Sequence, residues 1–238
     1  MNKNFFYIID DYGYKINVDK KLNYLISQAK IKKISLLSNF LYKRKVNNLF
    51  FSTKKMKFAA HINLTEGRSL TGYKLKSLPF FVFRLFLGLE RLDNIKKEIE
   101  EQLLFLIKKG FKVNELNSHQ HLHAISPISE IFKEIATRYK INEIRAYGNI
   151  EAITLKGKIS LFVLKIVAFL SYLFFYKKIG LPYAWQIRNV YPTIFLSWEG
   201  ANFSFGRLRK KYFYVNLVIH PFLGYDGNEE YLKFFNKQ

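Results

Sequence analysis

The sequence predicts an α/β chain: a distorted (β/α) barrel-like single domain over residues 1–238, built mainly from parallel strands. Three observations carry that expectation. Short apolar runs alternate with stretches of helical spacing, the pattern of strand–helix units. Four of the apolar runs end in polar residues, and the carboxyl ends of parallel strands converge on one rim where ligands bind. At 238 residues the chain can bury a large core, and it carries no internal repeat, low-complexity tract or linker. On pattern alone, an open doubly wound sheet stays beside the barrel as an alternative.

The elements follow in chain order. Residues 5–9 read as a strand, and 19–29 as a helix with Leu22, Leu25 and Ile26 on one face. Residues 33–37 and 57–64 read as further strands. The clearest helix is 92–109, "LDNIKKEIEEQLLFLIKK", with acids early and lysines last as the helix dipole favours, and Gly110 just past its end. A strand at 112–116 leads into "NSHQHLH", residues 126–139 are helical, and 143–146 form a short strand. After a long apolar helix come strand-like runs at 193–198 and 212–219.

That apolar helix is "ISLFVLKIVAFLSYLFFY", residues 159–176, with Lys165 as its one charge and lysines 156, 158, 177 and 178 at its flanks. Its length lies at the lower edge for a spanning helix, and Lys165 would cost a few kcal/mol at mid-bilayer. The sequence therefore favours a buried or surface-docked helix. Flanking lysines and aromatic residues also suit peripheral contact with an anionic membrane through 159–178. The start of the chain does not read as a signal peptide, because its apolar run, 5–9, is short and two aspartates follow it.

Charge and cysteine usage bound the chemistry. The formal charge is 39 − 18 = +21, which raises the question of a polyanionic partner. The lysines are spread over nearly every segment and no RNA-binding signature or zinc finger appears, so nucleic acid is not an expected partner. The chain has no cysteine, so any metal must be held by histidine, carboxylate or water. A cytoplasmic location is the expectation, with membrane association left open.

Four polar clusters stand at strand ends. "FFYII" ends in Asp10-Asp11, "KFAA" runs into His61, "KVNEL" into His119, His121 and His123, and "YVNLVI" into His220. All five histidines and both aspartates would then share one rim. Taken singly, the aspartates could be an ordinary turn before Tyr12-Gly13, and each lone histidine a hydrogen-bonded rim residue. Alternate residues on an extended segment share a face, so up to three imidazoles of the triple run could point one way. Together the groups point to a metal site of carboxylate and imidazole. A second carboxylate beside the ligating one can take a proton from water, and His220, from another strand, suits protonation of a leaving group.

At these residues the sequence resembles the YdjC/ChbG family of carbohydrate (chitooligosaccharide) deacetylases. The resemblance rests on "DDYG" at 10–13, "HINLTEG" at 61–67, "NSHQHLH" at 117–123 and "HP" at 220–221. It implies a distorted (β/α) barrel-like fold and removal of acetyl groups from N-acetylated sugars with one divalent metal ion, magnesium or zinc foremost. It further implies Asp11, His61 and His119 as metal ligands, Asp10 as catalytic base and His220 as the late catalytic histidine. His121 and His123 become groups behind the ligands or facing substrate, and Arg145, in "EIRAYGN", resembles a family arginine near the pocket. Phe222 and Leu223 separate the His-Pro pair from Gly224, where the family has glycine directly, and residues 150–210 match poorly.

The leading expectation is thus a metal-dependent hydrolase acting on an N-acetylated glycan, lipid-linked forms included, with a homodimer left open. A metal-dependent phosphoesterase built on the His-x-His run is one alternative. A degenerate, non-catalytic membrane-surface protein is the other.

Overall fold

The computed structural model describes residues 4–15, 26, 31–42, 44, 56–152, 155–188, 193–196 and 214–219. Eight strands among them form one sheet: β1 (Asn4–Tyr12), β2 (Ile31–Leu36), β3 (Lys57–Ile62), β4 (Val113–Ser118), β5 (Glu143–Ile144), β6 (Ile150–Ala152), β7 (Thr193–Leu196) and β8 (Tyr214–Ile219). Their order is β5-β4-β3-β2-β1-β8-β7-β6, and every ladder is parallel. Read as a ring this is simply sequence order, opened between β5 and β6. The α/β, barrel-like class is therefore as expected from the sequence, in the distorted form: β1 pairs β8, while the ring's other edges are two very short strands.

Among the described residues, helices follow β2, β3, β4 and β6. They are α1 (Ser38–Leu41), α2 (Leu78–Phe86), α3 (Leu92–Lys108), α4 (Ile128–Arg138), α5 (Leu155–Tyr176) and α6 (Tyr183–Gln186), with a 3-10 turn at His119–Ala124. The amphipathic spacing of α3 and α4 makes them covers for the sheet. Ile95, Ile99, Leu103 and Leu106 of α3 and Phe132 and Ile135 of α4 join Ile34, Leu36, Ala60, Ile62 and Leu116 of the strands in one core. The expected helix at 19–29 lies outside the described residues except Ile26, which is buried in that core.

Alternation along the strands sorts two rows. Leu36, Ala60, Leu116 and Ile144 lie level with one another across β2 to β5. One residue earlier lie Ser35, Ala59, Glu115 and Glu143, also level with one another. The first row joins the core against the helices. The second carries Ser35, Glu115 and Glu143, and its cationic partners come from the same strands two residues back: Lys33 bonds Glu115 and, at 2.7 Å, Glu143, which Lys57 reaches at 2.8 Å. Small barrels are commonly filled by branched apolar side chains. Here buried ion pairs, Lys33 with Glu115 and Arg145 with Asp10, stand where such side chains would be.

Residues 159–176 lie within α5, which starts at Leu155. A buried helix is not what is found: the described surroundings bury Ala168 and Ser171 and leave most of its large apolar side chains exposed.

Candidate active site

The site begins with a defect in β1. The strand does not stop before the aspartates but runs through them to Tyr12. Ile9 pairs Ile34 and Tyr12 pairs Leu36, so β1 spends three residues where β2 spends two. This is a β-bulge, and Asp11 sits in it at φ 59, the left-handed region that aspartate tolerates better than most residues. The bulge re-aims Asp11 and gives the adjacent carboxylates different partners. Gly13 closes the turn at φ 105, where a side-chain carbon would stand 2.6 Å from Leu41 Cγ.

Asp11 meets two histidines. Its Oδ1 lies 3.0 Å from His61 Nε2 at the end of β3 and 2.7 Å from His119 Nδ1 just past β4. Donor atoms of these three residues lie within 4.8 Å of one another, as those of a single-ion site would. His119 is the most open of them, its side chain 15% exposed against 2% for His61 and 6% for Asp11. Burial pushes the His119 pKa down, but the bond and charge of Asp11, with Glu66 behind, outweigh it and leave the pKa above the ordinary histidine value. Glu66 Oε1 is 3.5 Å from His119 Nε2.

The proton on His61 can be assigned. Asn117 Nδ2 donates to Ser35 Oγ at 3.1 Å and to Glu115 Oε1 at 2.6 Å, which fixes the amide and leaves Asn117 Oδ1 as an acceptor. His61 Nδ1 bonds that oxygen, so Nδ1 carries a hydrogen, and in the neutral ring Nε2 presents a lone pair. That lone pair faces a carboxylate oxygen 3.0 Å away. Two acceptors in contact repel unless a cation lies between them. A proton or a metal ion satisfies the arrangement, and a carboxylate with two imidazoles, one oriented by a second amide, is a donor set that fits a divalent metal.

Asp10 has a different neighbour. Both its oxygens accept from Arg145, NH2 to Oδ1 at 2.9 Å and NH1 to Oδ2, in a fully buried fork. Arg145 also donates to Ser35 Oγ at 3.2 Å, and its Nε lies 3.3 Å from Glu115 Oε1. Burial works against the charged guanidinium, but Asp10 and Glu115 more than compensate and hold its pKa above the usual arginine value. Glu115 thus touches both branches, Asn117 toward His61 and Arg145 toward Asp10.

The loop after β3 carries Thr65 and Glu66 to the same mouth. Buried Gln102 of α3 accepts from Asn63 N at 2.9 Å and donates to Asn63 O at 2.7 Å, as a neighbouring strand would. Asn63 Oδ1 then accepts from the backbone N–H groups of Thr65 and Glu66, both at 3.0 Å. Glu98 of α3 holds the backbone of Leu70 and Thr71. These two polar residues on the buried face of α3 anchor a functional loop.

The triple histidine is not extended. β4 ends at Ser118, and Gln120 and His121 take φ 53 and φ 60 in a tight turn. The expectation that three imidazoles could share one face is therefore corrected: the turn separates them. His119 joins Asp11. His121 stands edge-on to Tyr147, with ring centroids 5.8 Å apart. His123 is fully buried, stacks on Phe132 at 5.5 Å, and its Nδ1 accepts from Ser118 N at 3.0 Å. Burial holds the His123 pKa well below the ordinary value, so it is neutral and lies behind the turn rather than on an open face. His220 lies outside the described residues. Sequence reasoning passed over Glu66, Asn117, Glu115 and Ser35; Glu66 and Asn117 stood inside quoted motifs, and the alternation of 115 with 117 was the signal available for Glu115.

An open sequential ring of parallel strands with a carboxylate–imidazole cluster at its carboxyl rim defines a class of α/β proteins. The chain belongs to the family described as YdjC-like protein, whose model matches residues 8–192. It is 24% identical over 144 residues to a protein of Thermoanaerobacter pseudethanolicus named carbohydrate deacetylase, a match spanning 56% of each chain. Its fold is similar to a crystal structure from Enterococcus faecalis V583, provisionally named a cellobiose-phosphate cleavage protein. The TM-score is 0.56 at 13% identity, covering 92% of this chain and 81% of that one.

Proposed function

We propose that this chain is a metal-dependent hydrolase that removes an N-acetyl group from an N-acetylated sugar or oligosaccharide. The observation that carries the reading is the cluster itself: His61 Nε2 and His119 Nδ1 both meet Asp11 Oδ1, and donor atoms of the three residues lie within 4.8 Å of one another. Asp11, His61 and His119 would hold the ion, magnesium or zinc foremost. When bound, a divalent ion supplies Lewis acidity toward an acetyl carbonyl and a water of lowered pKa. The family match and the deacetylase name of the Thermoanaerobacter relative support the reaction type.

The chain's own groups have distinct tasks. Asp10 accepts the proton of the attacking water, its carboxylate aimed by the Arg145 fork. His220 protonates the departing amine. In support, β8 ends at Ile219, the Cα partner of Ile9 on β1, and His220 is the next residue in sequence. His121, with the Tyr147 edge beside it, faces the sugar. We also take the chain to be one domain, because the sheet uses strands from both ends of it.

The test is acetate release from a panel of N-acetylated glycans, lipid-linked ones included, before and after chelation. Release that disappears with chelator and returns with one added metal is the expected result. Hydrolysis of a generic phosphodiester with no acetate release would overturn the reading.

A further inference from the structure

Among the described residues, the long apolar helix is also one of the most exposed elements. α5 has 22 residues and a mean hydropathy of 2.1 over its best 18-residue window, yet 11% of that window is buried. A core helix of a soluble protein would be mostly buried. A thin stripe is used internally: Leu161, Leu164, Ala168, Ser171 and Phe175 recur at helical spacing and pack on the barrel. The Ser171 hydroxyl accepts from Ser126 N at 3.0 Å, tying the helix to the segment that follows the histidine turn. The outer side presents Ile159, Phe162 (65% exposed), Val163, Ile166 and Leu170.

A second apolar face adjoins it. Phe86 of α2 lies with its ring centroid 5.7 Å from Phe174 and 6.2 Å from Phe175. On the same short helix Phe80 and Phe83 are exposed, with Leu87 just beyond. Isolated exposed apolar residues are ordinary, but a continuous surface over two helices marks an interaction site. The charge around it selects the occupant. Residues 155–178 contain five lysines and no acid, four of the lysines standing at the two ends of the helix, in a chain of net +21.

We infer that the outer faces of α5 and α2 form a docking surface for an anionic lipid bilayer, with α5 lying in the interface. Aromatic and aliphatic side chains enter the acyl boundary while terminal lysines meet lipid phosphates. Lys165 is exposed and reaches the headgroups along its own apolar stem. The helix lies in the interface rather than across the membrane, because crossing would strip the inner stripe, with Ser171, from the barrel.

The test uses the full chain and vesicles, independent of any enzymatic reading. The chain floats with phosphatidylcholine vesicles containing phosphatidylglycerol, and partitioning falls by about tenfold or more on phosphatidylcholine alone or at high salt. Phe162→Asp abolishes flotation while circular dichroism and bound metal stay unchanged. Replacing Lys156, Lys158, Lys177 and Lys178 by Gln removes the preference for anionic lipid. Three results would overturn the inference: no flotation on either vesicle, flotation unchanged in Phe162→Asp, or a vesicle-free dimer by light scattering that Phe162→Asp dissolves. The last would assign the face to a second copy of the chain.

Discussion

The interior beneath the site and the outer face of α5 reverse the usual placement of polar and apolar groups. Inside the ring, Asp10, Ser35, Glu115, Asn117 and Arg145 are buried, each with hydrogen-bonding or charged partners. Outside, Phe162, Val163 and Leu170 stand in the open. The polar interior persists because buried groups with good partners avoid the desolvation penalty that isolated ones suffer. Among the described residues nothing covers the apolar exterior, and the proposed bilayer would supply that cover. The comparison teaches that burial here follows pairing: polar groups that find partners go inside, while apolar groups of α5 that find none among the described residues stay outside.

The largest effect should come from breaking the cluster itself. His119→Ala is expected to lose bound metal and to drop acetate release to background, read by elemental analysis and turnover together. Retained stoichiometric metal would remove His119 from the ligand set. Next, Asp10→Asn should reduce turnover by about 10²–10⁴-fold with metal content intact. Near-normal turnover would make Asp10 a structural partner of Arg145 and no more.

A smaller effect is expected one bond further back. Asn117→Ala removes the acceptor that orients His61 and should weaken metal affinity by about 10–100-fold, measured by competition with a chelating dye. Unchanged affinity would mean that the Asn117–His61 bond does not set the tautomer. The smallest effect belongs to the other region. Phe162→Asp should alter unfolding free energy by no more than about 0.5 kcal/mol, because the ring is exposed and its loss opens no cavity. A destabilisation of several kcal/mol would show that the outer face of α5 is packed in solution.

Much of the site was legible because its residues cluster in short motifs. Asp10, Asp11, His61 and His119 all follow apolar runs that became strands β1, β3 and β4. What the linear pattern misread was local backbone shape. "HQHLH" has the alternation of a strand, but left-handed conformations at Gln120 and His121 fold it into a turn and send its three imidazoles to three environments. The bulge at Asp11 was equally hidden, because an extra strand residue exists only relative to the neighbouring strand. Polar residues 98 and 102 interrupt the apolar face of α3, and periodicity alone gave no reason for them; the reason is a loop anchored from across the fold.

By itself, then, the sequence determined the strand–helix rhythm, the absence of thiolate chemistry and the residues that gather on the carboxyl rim. Those follow from local spacing and side-chain type. Tertiary structure alone decided that the sheet runs in sequence order through the β1–β8 pairing, that Asn117 orients His61 toward Asp11, and that α5 turns its apolar side outward. Each of these depends on which groups meet across a distance in the chain, and no local pattern encodes the partner's position.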